Sequence, residues 1–520
     1  MRKISENKTI LIASLISYIT FAVNILVTIF YTPFMKDALG EVEYGIRSFA
    51  LSFSSFTSLL GLGISSSYLR FANLANKKDG EAGVKRINGL FIKIYGVIAL
   101  ATVALGAILV SAFIFKIIPL SNYSSEEQTT IIWIVALSFI QAAITFATCV
   151  FPLSIVYHKR FIFRNSMFLL STIISHGAWI VLLLLGYKSV ALSVVGLIIE
   201  VIFHAINYIF MTYGLKEKID LKGNKEDKKL FIEILIFSFF SFLVTVTTTL
   251  NTSVDKIILG FIDNEVDLYV TKYSLSVIFN SYLITAASTI SVLFDPRINE
   301  LAIKGDKEGV QKIYDNVTFI CTLLLTLIVF GFIACGENFI CAWLGENNRI
   351  VYLFSIPLMF VNIIIYPQTF SLQIQRANNK HKFSAFIYAG SFILNIILSI
   401  TFVFVFQKVG LSPIWSCILG TIISYSIETL GMSIYNTKVL GLKQTRMWLD
   451  ILINVIVGAV AYFFVRKVIL ISGIVLSEYS FIIQTIIQGS IFVVLFIFLE
   501  LLVNYKKIKQ FLLTYKQKKS

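Results

Sequence analysis

The amino-acid sequence predicts an all-α integral membrane protein with about fourteen transmembrane helices. These are expected to form two parallel-repeat six-helix lobes around a central cleft, plus two extra C-terminal helices. Three observations predict this class: the composition, the placement of basic residues and an internal repeat. Of the 520 residues, 57% are hydrophobic and only 14% are charged, and the mean hydropathy is +0.83. A soluble protein this apolar could not cover its surface with polar side chains, so a large soluble domain is excluded.

The span count comes from continuous apolar runs of about 20 residues that are bounded by charged or turn residues. The fourteen runs cover residues 9–32, 45–66, 88–115, 129–153, 162–185, 189–213, 231–254, 267–293, 313–335, 350–371, 383–406, 411–435, 447–468 and 480–504. Because hydrophobicity is continuous along each run and does not alternate, a membrane β-barrel is excluded.

The basic residues test this count. With the N-terminus in the cytoplasm, and with Arg164, Arg466 and Lys467 at the ends of their spans counted with the adjoining segments, 33 of the 44 lie in cytoplasmic segments and 8 in external segments. The other three, Arg47, Lys93 and Lys272, lie within spans. This asymmetry predicts a multi-pass protein of the cytoplasmic (inner) membrane with both termini in the cytoplasm. The net charge of +15 is therefore mostly a topology signal, and nucleic acid is not an expected partner. The five cysteines lack metal-ligand or disulfide spacing, and no metal or cofactor is predicted.

An internal repeat divides the chain. Residues 70–75 (RFANLA) are followed by 81–86 (EAGVKR), and residues 297–302 (RINELA) are followed by 307–312 (KEGVQK). Spans 1–6 and 7–12 are thus two similar halves, and their even span number makes them parallel repeats. The predicted organisation is an N-lobe of residues 1–213, a basic cytoplasmic linker of 214–230, a C-lobe of 231–435, spans 13 and 14 within 436–504, and a basic cytoplasmic tail of 505–520.

Basic residues occupy equivalent places near the outer ends of spans 2 and 8, where both halves read Y-x-x-[RK]. The repeat predicts that Arg47 and Lys272 face one another across the cleft. An Arg binds phosphate oxygens in a bidentate manner and a Lys binds them as a point charge, so both are candidate diphosphate ligands. Lys93 and Lys256 are further candidates. The alternatives are snorkelling to the headgroups for the first three, and a local ion pair with Asp255 for Lys256.

Polar side chains at helical spacing mark the first helix of each half. Asn24 and Tyr31 belong to such a stripe in span 1, and Thr245 and Thr248 belong to one in span 7. These side chains would be costly against lipid, so they are candidate sugar-binding residues. The alternative is that the small Ser and Thr side chains pack helix against helix.

Ionisable residues near the middle of the membrane are candidates for ion coupling. Glu200, His204 and Asn207 are spaced to share one face of span 6, and His176 in span 5 lies at a similar depth. A Glu beside a His can change protonation in a cavity, which suits proton coupling or sugar binding. The alternative is a neutral Glu that is hydrogen-bonded to a neighbouring helix. Glu428 in span 12 is the comparable acid of the second half.

Short motifs recur in a fixed order along the chain. They are Leu39-Gly40 with Tyr44-Gly45, Leu60-Gly61-Leu62-Gly63, Arg70, Val254-Asp255-Lys256 with Leu259-Gly260, Asp295-Pro296-Arg297, Gly305-Asp306 and Ala342-Trp343-Leu344-Gly345. In order and spacing, this set resembles Wzx-type polysaccharide flippases of the multidrug/oligosaccharidyl-lipid/polysaccharide exporter (MOP) superfamily. The resemblance covers nearly the whole chain.

The resemblance implies a flippase that moves an undecaprenyl-diphosphate-linked oligosaccharide repeat unit from the inner to the outer leaflet by alternating access. It implies a role in the assembly of capsule, O-antigen or exopolysaccharide. The implied partners are the lipid-linked oligosaccharide, membrane lipids, and polysaccharide polymerase and assembly proteins. No catalytic residues are expected.

Two alternatives remain open at this stage. A drug or organic-cation antiporter of the same superfamily would be expected to place an acid in the cleft, whereas the interiors of spans 1 and 7 carry none. A membrane polysaccharide polymerase would require a sizeable extramembrane loop or a carboxylate pair for acid–base chemistry. The longest external loops have only about 15 residues, which favours a transporter over an enzyme.

Overall fold

A computed structural model of the protein describes residues 6–57, 65–222, 229–234, 250, 253–263, 268–303, 305–378, 380, 382–472 and 479–516. Every regular element among these residues is a helix. The chain forms two compact units, Met1–Thr271 and Lys272–Ser520.

Among its described residues, the first unit has seven helices of eight residues or more that lie before residue 210. They are α1 (Glu6–Leu39), α2 (Glu41–Ser54), α3 (Ser65–Ile114), α4 (Ser125–Thr148), α5 (Val150–Tyr157), α6 (Phe161–Leu184) and α7 (Ser189–Ile209). A π-helical turn, Phe210–Gly214, ends α7, and a further short helix covers residues 253–260.

The described residues of the second unit form seven further helices, the first of which starts at the end of the first unit. They are α8 (Tyr269–Ile303), α9 (Lys307–Leu344), α10 (Ile350–Ala377), α11 (Lys382–Val409), α12 (Ile414–Tyr435), α13 (Thr445–Ser472) and α14 (Phe481–Lys516). A 3₁₀ turn, Glu346–Asn348, separates α9 from α10, and a π-helical turn, Asn436–Leu440, ends α12.

Ten of the described helices are long and apolar enough to cross a membrane. They coincide with predicted spans 3–6 and 9–14, while predicted span 1 lies within α1 and predicted span 8 overlaps α8 from Tyr269 onward. Predicted spans 2 and 7 fall partly outside the described residues. The prediction of a multi-pass, all-α membrane protein is confirmed.

Helix α3 continues from the end of predicted span 2 into span 3, although the sequence predicted two separate spans. A bend at Gly80, with φ 60° and ψ −146°, divides it into two helical segments. Only glycine adopts such a conformation without strain. In the second half Gly305, with φ 70°, stands between α8 and α9. Both glycines lie between the two pieces of the repeat motif, so the motif encodes a helix–glycine–helix turn in each half.

Local sequence also explains why predicted span 4 forms two helices. Helix α4 begins with a capping box, in which the Ser124 N–H donates to Glu127 Oε2 at 2.7 Å and the Glu127 N–H donates to Ser124 Oγ at 3.4 Å. It ends at Thr148, because Pro152 has no N–H to donate to the Thr148 carbonyl. Helix α5 begins after Cys149.

Each unit has its own buried core. In the first unit, Tyr68 and Phe91 are completely buried with their rings edge to face, and the centroids lie 5.1 Å apart. In the second unit α9 lies against α10, α13 and α14, and the buried residues include Tyr314, Phe492 and Phe496. The helices of each unit are therefore held together by a packed core of that unit.

Gly260, of the Leu259-Gly260 motif, and Thr271 contact earlier residues of the same unit. The hydroxyl of Tyr123 donates to the Gly260 carbonyl at 2.7 Å, and the hydroxyl of Thr271 donates to the Glu41 carbonyl at 2.7 Å. A Cβ at Gly260 would lie 2.1 Å from the Phe49 ring, so this close approach requires glycine. The six-plus-six division into lobes, with its boundaries, stays a prediction.

Candidate functional site: a polar cavity in the first unit

A cavity of about 630 Å³ lies in the first unit. Its lining comes mainly from α4, α6 and α7, with Thr20 of α1 and Pro152 of α5. Glu200, His204 and Asn207 all line it, as their helical spacing predicts. The cavity thus gathers polar groups from helices that the sequence predicts to span the membrane.

The Glu200 carboxylate is the centre of a hydrogen-bond network between α4 and α7. The side chains of Gln141 and Thr145 both donate to it. His204 Nε2 lies 3.3 Å from Glu200 Oε1, and His204 Nδ1 lies 2.9 Å from the Thr148 hydroxyl. One neighbouring helix, α4, therefore supplies hydrogen-bond partners to both members of this half-buried Glu–His pair.

The rest of the cavity wall combines polar, aromatic and basic groups. Arg164 stands on the first turn of α6, at the end of the cavity shared with Asn207. Trp179 presents part of its ring to the cavity, and its indole N–H donates to the Leu192 carbonyl at 2.9 Å. Ser171 and Ser175 line the wall between these two. Such a lining can hydrogen-bond hydroxyl groups, stack on a sugar ring and attract an anion.

Arg47 is buried behind this wall, with 9% of its surface exposed. One guanidinium nitrogen donates to the Ser189 carbonyl at 3.1 Å and to the Ser193 hydroxyl at 3.0 Å. The Ser189 N–H in turn donates to the Glu43 carboxylate at 3.2 Å. Arg47 and Glu43 therefore fasten α2 to the start of α7. The guanidinium also lies 6.0 Å from the centre of the Trp179 ring, which lines the cavity.

Tyr31 and His176 belong to an aromatic cluster with Trp179. The Tyr31 and His176 rings meet edge to face at 5.2 Å, and the His176 and Trp179 rings lie 4.9 Å apart. His176 Nδ1 lies 2.8 Å from the Thr172 carbonyl, so this nitrogen carries a hydrogen. The Tyr31 hydroxyl is buried without a hydrogen-bond partner among the described residues. His176 therefore packs against Tyr31, whereas Glu200 is hydrogen-bonded to His204.

The remaining predicted residues lie elsewhere. Asn24 donates to the Thr20 carbonyl of its own helix at 3.0 Å. Lys93 is exposed on α3, and Lys256 is partly buried on the short helix 253–260. Lys272 is partly buried on α8, and Glu428 is buried on α12 of the second unit. Thr245 and Thr248 lie outside the described residues.

Four residues of this site did not emerge from the sequence: Gln141, Thr145, Thr148 and Arg164. The first three are isolated polar residues in span 4, and only contact across helices reveals that they converge on Glu200 and His204. Arg164 was counted with the cytoplasmic topology charges. Its position one turn inside predicted span 5 was the available signal.

Solved structures of membrane transporters have the same fold as this chain. A lipid II flippase, MurJ, in an inward closed conformation matches with a TM-score of 0.63 and 15% identity, covering 90% of this chain and 97% of that one. A MOP superfamily transporter from Pyrococcus furiosus matches with a TM-score of 0.54 and 13% identity, covering 82% and 95%. A MATE transporter of Vibrio cholerae matches with a TM-score of 0.57 and 12% identity, covering 85% and 99%. The chain therefore has the MOP transporter and flippase fold.

The sequence family agrees with this fold. The profile of a family described as polysaccharide biosynthesis protein matches residues 8–301, more than half of the chain. The chain belongs to this family. No curated protein sequence matches it. The resemblance to Wzx-type flippases of the MOP superfamily is thus confirmed, and the chain is a multi-pass membrane protein with the fold of these transporters.

Proposed function

We propose that the protein is a flippase that moves an undecaprenyl-diphosphate-linked oligosaccharide repeat unit from the inner to the outer leaflet of the cytoplasmic membrane, for assembly of a surface polysaccharide. The observation that carries the proposal is the polar cavity of about 630 Å³ inside a unit whose helices are otherwise apolar. Membership of the polysaccharide biosynthesis family supports it. The fold shared with MurJ also supports it, because MurJ is a flippase of lipid II.

The cavity chemistry suits this cargo. Moving a charged, sugar-bearing headgroup through bare hydrocarbon would cost far more than the few kcal/mol of a single buried charge. Hydroxyl and amide side chains along α6 and α7 can replace water around sugar hydroxyl groups, and the Trp179 ring offers a flat apolar surface. We propose that Arg164 receives the diphosphate, because an Arg matches phosphate oxygens with paired hydrogen bonds.

Arg47 and Lys272 remain the proposed diphosphate ligands on the outer side. Arg47 belongs to the first unit and Lys272 to the second. Because Arg47 holds α7 and lies over Trp179, we propose that its charge acts on the cargo from behind the cavity wall. Lys93, Lys256, Asn24, Tyr31, Thr245 and Thr248 remain candidate contacts along the route.

The Glu200–His204 pair is the proposed ion-coupling site. The pair lies in the cavity and is hydrogen-bonded to Thr145, Thr148 and Gln141. A proton taken up by this pair would make the cavity more positive and favour an anionic headgroup. His176 and Glu428 stay as further coupling candidates.

One observation favours a second function, export of an organic cation. The cavity of the first unit contains a carboxylate, Glu200, which is the group that a cation substrate requires. Several of the matching solved structures are of MATE transporters. The flippase is favoured because Arg164 shares the cavity and because His204 stands beside the acid.

The test is complementation of bacterial strains that lack a flippase, using defined lipid-linked repeat units. Arg164→Gln is expected to lower surface glycan at least tenfold, since it removes the cavity's basic group. Arg160→Gln is the matched control, because Arg160 is exposed one turn earlier and does not line the cavity. Full glycan export by Arg164→Gln, or drug resistance without glycan rescue by the wild type, would contradict the proposal.

A further inference from the structure

A second polar cavity, of about 430 Å³, opens on the second unit where α9 and α13 begin. Four basic side chains line it: Lys307, Lys312, Lys443 and Arg446. Glu308 and Asp315 are the acids of the lining, so the basic groups outnumber the acidic groups by two. This cavity is separate from the polar cavity of the first unit, and the proposed transport does not use it.

One of the two acids of this cavity, Asp315, already has polar and basic partners. Asp315 accepts a hydrogen bond from Gln311 Nε2 at 2.8 Å and lies 3.7 Å from Arg446. Within the described part of the chain, no carboxylate lies within 4.0 Å of the ammonium groups of Lys307, Lys312 or Lys443. The cavity therefore presents three lysines whose charge is available to a ligand.

The backbone holds these lysines in place. Gln311 Nε2 donates to the Lys443 carbonyl at 2.9 Å, and the Lys443 N–H donates to Gln311 Oε1 at 2.9 Å. This reciprocal pair clamps the turn before α13 onto α9. The backbone positions that carry the basic side chains on the two walls are thus held relative to each other, which reduces the ordering that a bound anion would require.

An exposed apolar surface adjoins the cavity. Along α13, the exposed fractions are 51% for Leu449, 52% for Ile456 and 67% for Phe463. This stripe starts one turn beyond Arg446 and runs along the helix away from the cavity. A ligand with an anionic head and a hydrocarbon tail would place the head among the lysines and the tail along this stripe.

The arrangement recurs at the equivalent place in the first half. There, a cavity of about 350 Å³ is lined by Arg86 from the G-V-x-[RK] motif and by Lys229 at the start of predicted span 7. In the second half, Lys312 comes from the same motif and Arg446 from the start of predicted span 13. Both cavities thus combine the repeat motif with the first turn of the span that follows each half.

We propose that the second-unit cavity binds the phosphate of an anionic glycerophospholipid of the surrounding leaflet, with its acyl chains along the apolar stripe of α13. Basic pockets between transmembrane helices hold anionic headgroups in this way, and each lysine near the surface adds to the attraction. The bound lipid would tie the starts of α9 and α13 to the membrane surface. This inference does not depend on the transported cargo.

The test is native mass spectrometry of the full-length, detergent-purified protein with phosphatidylglycerol, phosphatidylcholine or inorganic phosphate. The wild type is expected to retain phosphatidylglycerol preferentially. The Lys307→Gln/Lys312→Gln/Lys443→Gln variant is expected to bind it roughly 10-fold to 100-fold more weakly. The triple Lys→Arg variant is expected to restore binding, because it keeps the charge.

The matched control is Lys216→Gln/Lys218→Gln/Lys222→Gln, which removes the same charge from three exposed lysines of the predicted linker. Equal weakening by both Gln triples would mean that general positive charge holds the lipid, and the proposal would be wrong. Equal retention of the two phospholipids, or equally tight binding of inorganic phosphate, would also overturn it. Circular dichroism checks folding, and Lys312→Gln alone provides the test if the triple variant is poorly folded.

Discussion

His204 has neighbours that allow it to hold either one ring proton or two. With one proton on Nε2, it can donate to Glu200 and accept at Nδ1 from the Thr148 hydroxyl. When Nδ1 also carries a proton, the Thr148 hydroxyl can turn to donate to the Ile144 carbonyl, 2.7 Å away, and accept from the ring. No heavy atom needs to move between the two states, so the geometry suits proton uptake and release.

Thr148→Val is expected to weaken proton coupling. Valine cannot hydrogen-bond either form of the ring, and the charged form loses the stronger bond, worth roughly 1.5–3 kcal/mol against roughly 0.5–1.5 kcal/mol for the neutral form. Proton-driven transport should therefore fall severalfold. Thr148→Ser keeps the hydroxyl and should behave as the wild type. The measurement is acid-driven transport or proton flux in proteoliposomes. Equal coupling in the Val and Ser variants would show that Thr148 only packs between helices. Glu200→Gln tests the acid in the same assay, and unchanged coupling in that variant would show that Glu200 has a structural role only.

Arg47 has a structural role that can be separated from any role in cargo binding. Arg47→Ala removes its bonds to Ser189 and Ser193 and is expected to destabilise the protein by about 2 kcal/mol. The melting temperature in detergent measures this loss. Lys408→Ala, an exposed change at the end of α11, is the control and should leave the melting temperature unchanged. A loss of transport by Arg47→Ala at an unchanged melting temperature would show that Arg47 acts on the cargo and not on the fold.

At the scale of helices, glycines with different backbone conformations in α3 should respond in opposite ways to alanine. A Cβ added at Gly80 or Gly96 meets nothing within 4 Å, so crowding is the same at both positions. Gly80 has φ 60°, where alanine is strained by about 1–3 kcal/mol, whereas Gly96 is helical and alanine there is favoured by about 0.5–1 kcal/mol. Gly80→Ala should therefore lower the melting temperature and Gly96→Ala should not. Equal shifts would contradict the bend as a fixed feature of α3.

Helices could be predicted from the sequence more completely than the contacts between them. Apolar length is a local property, and ten predicted spans coincide with described membrane-length helices. The common face of Glu200, His204 and Asn207 could also be predicted, because helical spacing places the three residues on one side of the helix. The partners on α4 could not be predicted, since contacts between Thr148 and His204 join residues 56 positions apart. The burial of Arg47 against Ser189, 142 positions away, was hidden for the same reason.

Across the whole molecule, the basic residues form two groups with different roles. Most basic residues lie in segments that the positive-inside pattern assigns to the cytoplasm, where they set the orientation of the chain. A few lie where the membrane makes charge expensive, and topology alone does not account for these. Arg47 and Lys272 are such residues, one in each compact unit and at matching places of the repeat. The repeat therefore predicts that they act together on one cargo.

This prediction is tested by removing both charges. Arg47→Gln/Lys272→Gln is expected to abolish export of the lipid-linked glycan, while each single change lowers it partially, since two cations attract a diphosphate more strongly than one. The control Lys116→Gln/Lys408→Gln removes two exposed charges from predicted external segments, one in each unit. Surface glycan and the amount of folded protein in the membrane are measured together. Normal glycan in the Arg47/Lys272 variant would exclude these residues as diphosphate ligands, and an equal loss in the control would assign the effect to external charge in general.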